Sequence, residues 1–467
     1  MRADLLADPV DGLDEALAAV DAFDQVLVAG LLRPQPAQAA GLARLAQAVA
    51  GTPLASQVAE AAEKAAAGVA GEDHLTVLAA ARTALLGAVH DALLAQVAAA
   101  TGRPQGHSGG GTGDGTTPGG QPATGLHAAA RSWLSDLARS GWQGLDSDVV
   151  AGSAPVISAM LPDQALRRLA TLLDGFAAEL GASCPGSAAA RIPVRRWADL
   201  WSRAMLLTLP GPAGPPSAGQ ATGRLLPLGI DLQEHPTAVQ AQVHAVFEPA
   251  DGGGPRLVRA SVSAPKPDTV IGAGVWQLLR PHLSLLAAYS DGRSMDLAGM
   301  PVTAEGDLIW SDEHARPGEP ADPFVTARVA LPAAADPPTA PLDRHPARIA
   351  VPVFLEGYAT RDNDGALTCA VTGHPVTIDT ARIPAAGPLT PRAVAASSAC
   401  IGLLRWDAGS YTVQPLVVAT TERKRATPVH AGGWAGGAAD KNGAKAEQAA
   451  ADAMAVLRER AGRLLRK

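Results

Sequence analysis

The sequence predicts an α+β protein with a helical N-terminal domain, a flexible linker, then helices packed on an antiparallel β-rich core, and a C-terminal helix. Three observations predict it. Apolar residues recur at helical spacing up to about residue 209, the spacing changes to strict alternation over residues 239–263, and a stretch without large apolar residues separates two helical parts. A chain of 467 residues also exceeds the ~250 at which single cores stop growing, so at least two domains are expected.

Residues 1–102 read as an alanine-rich helical bundle. In "DEALAAVDAFDQVLVAG" the residues Leu17, Val20, Phe23, Val26 and Leu27 share one face and Gly30 supplies a stop. Two helical segments follow at 38–50 and 54–68, and a longer one runs from Glu72 to about Ala100. Residues 103–125 are rich in Gly, Thr and Pro and cannot bury enough surface to offset the entropy of ordering, which predicts a flexible linker. That linker contains "GHSGG", a match to the G-x-S-x-G of serine hydrolases. A nucleophile elbow needs a buried strand before its serine and a helix after it, whereas Ser108 follows a helix and precedes glycines and threonines, so Ser108 is read as linker. The same glycines fail G-x-G-x-x-G in every register, and no G-K-[ST] occurs.

A second helical block spans 126–209. Its last helix, "PVRRWADLWSRAMLLTLPG", stacks Trp197, Leu200, Trp201, Ala204 and Met205. Such a stripe ordinarily packs on the next element, and Trp197 with Trp201 is kept as a candidate partner groove. From 223 to 420 the chain reads as an antiparallel β-rich domain with a helical insert at 269–290, broken near Pro281. "AVQAQVHAVFE" and "RLVRASVSA" alternate cleanly and form a hairpin. Two more hairpins are expected, "VPVFLEGYAT" with "ALTCAVTG" around "RDNDG" and "IGLLRW" with "YTVQPLVVAT" around "DAGS", with Pro352 and Pro415 marking edge or bulged strands. Residues 440–467 form an amphipathic helix whose stripe is Ala450, Met454, Leu457, Ala461 and Leu464. Arg458, Arg463, Arg466 and Lys467 crowd its last turns, which suits the helix dipole and also a docking helix for an acidic partner or a membrane surface.

Composition narrows the function classes. A net charge of −7 argues against general nucleic-acid binding, which needs clustered cations for the phosphates. Three scattered cysteines, Cys184, Cys369 and Cys400, support neither a disulfide framework nor a zinc knuckle. Asp4, Asp8 and Asp11 interrupt any signal-peptide core, and no run reaches the ~18 apolar residues of a span, so a soluble, cytoplasmic protein is expected.

Two constellations stand out. The polar face of the first hairpin carries Gln240, Gln242, His244, Arg259, Ser261 and Ser263, the default look of a half-solvated sheet and also a candidate ligand surface through His244 and Arg259. "EGDLIWSDEHARPGEPAD" gathers carboxylates around Trp310, with Asp312 and His314 as the candidates for metal or acid/base work, although its Pro and Gly content suits an exposed loop. "RDNDG" fails as a calcium loop, since aligning Gly365 with the invariant glycine puts Thr360 and Val371 at the first and twelfth positions. No catalytic residue, metal ligand or cofactor is assigned.

"LDRHPARIAVPVFLEGY", "SSACIGLLRWDAGSY" and "AVLRERAGRLLRK" resemble actinobacterial proteins associated with gene clusters for a MoxR-type AAA+ ATPase, a von Willebrand A-domain protein and a SWIM zinc-finger protein. The resemblance covers about residues 126–467 and implies an accessory role beside an ATPase. The chain itself has no ATPase motif and no SWIM Cys/His pattern. The expected function is a non-enzymatic adaptor or scaffold with protein partners, and neither nucleic acid nor membrane among them. The alternative is an enzyme or small-ligand binder built on the β-rich domain.

Overall fold

Helices α1 (Leu13–Ala29), α2 (Pro36–Ala48), α3 (Ala55–Ala66) and α4 (Glu72–Thr101) open the chain. The computed structural model describes residues 1–104, 125–209, 219–235, 237–363, 366–422, 425–438 and 441–464. The expected linker, apart from its ends, and Ser108 within it lie outside the described residues. Helix α1 buries Val20, Phe23, Val26 and Leu27, the face read from its periodicity.

The second helical part contributes α5 (Gly125–Ser140), α6 (Ser147–Ala151), α7 (Ser153–Met160), α8 (Arg167–Ala182) and α9 (Val194–Leu207). Both parts share one core, in which Phe23, Leu42 and Leu78 join Trp133, Phe176 and Trp201. The parts meet backbone on backbone where α1 and α5 end, with the N–H groups of Leu31 and Leu32 donating to the carbonyls of Ala138 and Arg139 at 3.0 and 3.1 Å. Gly30 and Gly141 stand at this crossing with φ 84° and 72°. A Cβ on Gly30 would lie 2.5 Å from the Arg139 carbonyl oxygen, and one on Gly141 would lie 2.3 Å from the Gly30 nitrogen. Only glycine fits both the left-handed backbone and the close approach.

Helix α4 is long and apolar enough on average to cross a membrane, although Arg82, His90 and Asp91 interrupt any continuous apolar run. Its apolar residues are covered within the fold: Leu75, Leu78 and Leu86 belong to the helical core, and Val89, Leu93 and Val97 pack on the second sheet. Burial on different sides along its length removes the polar stripe that a one-sided helix would show.

The first sheet holds β1 (Gly219–Glu234), β2 (Ala238–Pro249), β3 (Arg256–Pro265), β4 (Arg293–Val302), β5 (Asp307–Leu308) and β6 (Ala315–Pro320). Its order is β1-β2-β3-β5-β4-β6, and a further pairing of β1 with β4 closes the first five strands into a ring. Strands β2 and β3 form the expected hairpin, with His244 opposite Arg259. Val239, Val243 and Phe247 face a core shared with α10 (Val275–Leu279) and α11 (Leu285–Ser290), the two helices on either side of Pro281.

The second sheet holds β7 (Val351–Glu356), β8 (Thr360–Asn363), β9 (Ala366–Val371), β10 (His374–Ile378), β11 (Ser397–Asp407), β12 (Ser410–Glu422) and β13 (Arg425–His430). Strands β11 and β12 form the hairpin read from the sequence, with a register shift beside Pro415. The hairpin expected from "VPVFLEGYAT" is corrected. Gly357, at φ 70°, breaks that segment, so β7 pairs with β11 at the sheet edge and only β8 pairs with β9. The two sheets pack through Leu226, Leu228, Val246 and Leu257 against Ile401, Leu403, Leu416 and Val417, with α12 (Pro323–Val329) at the border.

After α13 (Pro391–Ala395), the last element is α14 (Lys441–Leu464). Its first half is docked: Ala450 is buried, Met454 packs on the first-sheet core, and Glu447 pairs with Arg280. The whole is an α+β protein, helices first, then sheets, then the terminal helix.

Candidate functional site

His244 and Arg259 are the two predicted residues that the fold brings together. Strand β2 places His244 between Gly229 of β1 and Arg259 of β3. Arg259 binds Asp307 of β5 in bidentate fashion, Nε to Oδ1 at 2.5 Å and Nη2 to Oδ2 at 3.0 Å. His244 is only 4% exposed, and its Nε2 has no hydrogen-bond partner among the described residues. Burial lowers its pKa from 6.5 to about 4, with Asp231 opposing and Arg259 and Arg405 reinforcing the shift. The ring is therefore neutral at physiological pH.

Behind this face the two sheets are joined by a polar triad that sequence reading missed. Arg405 of β11 donates from Nη2 to Asp231 Oδ2 at 2.8 Å and from Nε to Gln414 Oε1 at 2.6 Å, and Gln414 Nε2 donates to Asp231 Oδ1 at 2.7 Å. All three are buried. Each carboxylate oxygen is thus satisfied, the condition under which a buried charge is tolerated. A signal was present: Asp231 sits inside "LLPLGIDL" and Arg405 inside "IGLLRW", lone charges in apolar runs.

A second buried cluster, also missed, ties α1, α4 and α9 together. Arg82 Nε and Nη2 donate to Asp24 Oδ1 and Oδ2 at 2.6 and 2.9 Å, while Nη1 lies 2.7 Å from Asp199 Oδ1. His345 Nε2 approaches the same Asp199 oxygen at 3.2 Å, and its Nδ1 accepts the N–H of Ala347 at 3.1 Å. With Nδ1 accepting and Nε2–H donating, neutral His345 has no lone pair left for a reacting group. Its part is to hold segment 341–348 on the helical layer.

The remaining predicted residues are placed apart from His244. Trp197 and Trp201 are buried, Trp197 edge-on to Trp142 at 5.8 Å and Trp201 donating from Nε1 to the Leu134 carbonyl at 2.9 Å. The expectation of a partner groove is corrected: the helical core covers both rings. Asp312 Oδ1 accepts from Trp310 Nε1 at 2.7 Å and from the Ser284 N–H at 3.3 Å, and His314 Nδ1 lies 2.8 Å from the Ala298 carbonyl. Those bonds staple the acidic loop to its neighbours. Among the described residues no group of three His, Cys, Asp or Glu side chains is arranged to hold a metal.

Comparison with known protein families, with curated proteins and with solved structures finds no match to this chain.

Proposed function

We propose that the chain is a non-enzymatic adaptor that brings together components of a cytoplasmic multiprotein system, with a AAA+ ATPase or a von Willebrand A-domain protein among its partners. The observation that carries this reading is the outer half of α14. Residues 455–461 are exposed all round, while Gly443 and Ala450 of the same helix are buried. Val456 and Leu457 are 45% and 37% exposed. Leu457 and Ala461 continue the stripe of Met454 one turn at a time, with Arg458 and Arg460 to either side. A helix end of this kind gains little from its own fold, since most helical stability comes from packing an apolar face. Laid into an apolar groove of another protein, the stripe would be buried and the flanking arginines would meet an acidic rim. The resemblance to proteins clustered with an ATPase supports the class of partner.

The alternative, a small-ligand-binding or enzymatic role of the β-rich part, is favoured by one observation, the unpaired and buried Nε2 of His244. Capture from a native lysate separates the two readings. The full chain is expected to retain a stoichiometric ATPase or von Willebrand A-domain protein that Leu457→Glu releases. Retention of no partner, with a small molecule bound in a manner sensitive to His244→Gln, would favour the alternative.

A further inference from the structure

Building on the docking reading of α14, we propose that Ile271, on the turn that leads into α10, is a second contact for the same partner, so that one acid-rimmed apolar groove closes over both. Segment 271–280 and α14 run antiparallel and in step. Arg280 pairs with Glu447, Gln277 Nε2 donates to the Glu447 carbonyl at 2.9 Å, and a Cβ on Gly274 would lie 2.2 Å from the Ala450 Cβ. From Gln277 to Gly274 the contact moves three residues forward on α14. The same step again sets Ile271 level with Ala453 and Met454, one turn before Leu457.

Ile271 is 65% exposed, although Val270 before it is buried in the first-sheet core and Gly274 after it is buried against α14. The turn is held at both ends. Lys266, itself buried, donates from Nζ to the Val270 carbonyl at 2.9 Å and pairs with Glu234 at 3.3 Å, while the Gly274 N–H donates to the Ile271 carbonyl at 3.2 Å. Gly272 follows with φ 56°, a left-handed position that glycine takes without strain. An isoleucine on so anchored a turn has little backbone freedom to lose on binding, which is how preorganised contacts gain affinity. A single exposed aliphatic residue needs no explanation, but one standing beside a second exposed apolar row, here Val456 and Leu457, marks an interaction surface.

Charge selects the occupant. Residues 455–464 carry Arg458, Arg460 and Arg463 against Glu459 alone, on a chain of net charge −7. Arg463 is paired with Glu459, and Arg458 and Arg460 have no ion pair among the described residues. A groove with carboxylates along its rim would pair them, while its apolar floor would take Leu457 and its near end Ile271. Ile271 thereby fixes how the helix is presented. A partner that bound α14 detached from the body would not reach Ile271, whereas one that binds it docked on Gly274 meets both.

Three samples of the full chain test this contact, each irradiated in a native lysate and followed by mass spectrometry. One carries a photo-crosslinking side chain at position 457, one carries it at position 271, and one combines position 457 with Ile271→Asp. Positions 457 and 271 are expected to label the same ATPase or von Willebrand A-domain protein, on neighbouring apolar segments flanked by acidic residues. Ile271→Asp is expected to cut the 457 adduct about tenfold, since it sets a charge where an apolar contact forms. Ile271 is exposed and its backbone extended, so the variant is expected to melt with the unchanged chain and to keep the amide exchange of residues 443–454; faster exchange there would trace the loss to α14 and overturn the contact. If 457 labels its partner while 271 labels none, or if Ile271→Asp leaves the 457 adduct unchanged, Ile271 is no contact and α14 docks alone. A 457 adduct with lipid in place of protein, or no adduct at all, would overturn the docking reading and the Ile271 contact with it.

Discussion

Replacing Arg82 by methionine examines the buried charges that hold the helical layer. The guanidinium makes two bonds to Asp24, at 2.6 and 2.9 Å, and a third contact to Asp199 at 2.7 Å. The Arg82 and Asp24 side chains are only 1% and 2% exposed, whereas that of Asp199 is 31% exposed and keeps His345. Methionine fills much of the arginine's volume, so the loss is mainly electrostatic: Asp24 is left buried without its counter-ion. Removing one partner of a buried pair costs about 3–5 kcal/mol, whereas replacing both by apolar groups is often neutral or better. Arg82→Met is therefore expected to lose about 3–5 kcal/mol in urea unfolding followed by circular dichroism, with its slope unchanged. The double variant Arg82→Met with Asp24→Leu should recover most of that loss. A loss below about 1 kcal/mol in the single variant, or a double variant as unstable as the single, would refute the reasoning.

Two further outcomes follow from the structure. Because burial lowers the pKa of His244 from 6.5 to about 4, the unfolded chain binds a proton there that the folded chain refuses, so stability falls as pH drops from 6.5 to 4. That difference is worth about 3 kcal/mol. Asp24, raised by burial to about 6 despite Arg82, works in the opposite direction between pH 6 and 3.8 and offsets part of it. His244→Gln should therefore lose less stability on acidification than the unchanged chain, measured as thermal midpoints at pH 7 and 4.5; equal losses would contradict the assignment. Gly274 packs so closely that a Cβ there would lie 2.2 Å from the Ala450 Cβ. Gly274→Ala should thus loosen α14, seen as at least tenfold faster amide exchange over residues 443–454 with the sheets unaffected; unchanged exchange would mean that α14 is not held there.

Legibility in the sequence followed burial geometry. Strands β2 and β3 were readable because alternate residues meet different environments, Val239, Val243 and Phe247 in the first-sheet core and Gln240 and Gln242 only partly covered. Strand β1 was missed because it is covered on both faces, with Leu225 and Ile230 in one core and Leu226 and Leu228 in the other. Its sequence "LLPLGIDL" consequently has no period of 2, only an apolar run. The polar clusters were harder. Asp24 and Arg82 are 58 residues apart and Asp231 and Arg405 are 174 apart, separations that local pattern cannot join. What each leaves behind is a charge embedded among apolar neighbours, and that trace identifies one member without naming its partner. Trp197 and Trp201 illustrate the reverse error, since an amphipathic stripe looks alike whether its apolar face meets the chain's own core or another protein.

The exposed end of α14 is the docking element we propose. The most direct measurement places a photo-crosslinking side chain at position 457 of the full chain, and in a second sample at exposed Glu60 on α3, followed by irradiation in a native lysate and mass spectrometry. One stoichiometric adduct, with an ATPase or a von Willebrand A-domain protein, is expected from position 457 and none from position 60. Equal, unselective labelling from both positions, or a chain that stays monomeric and unlabelled at 457, would contradict it.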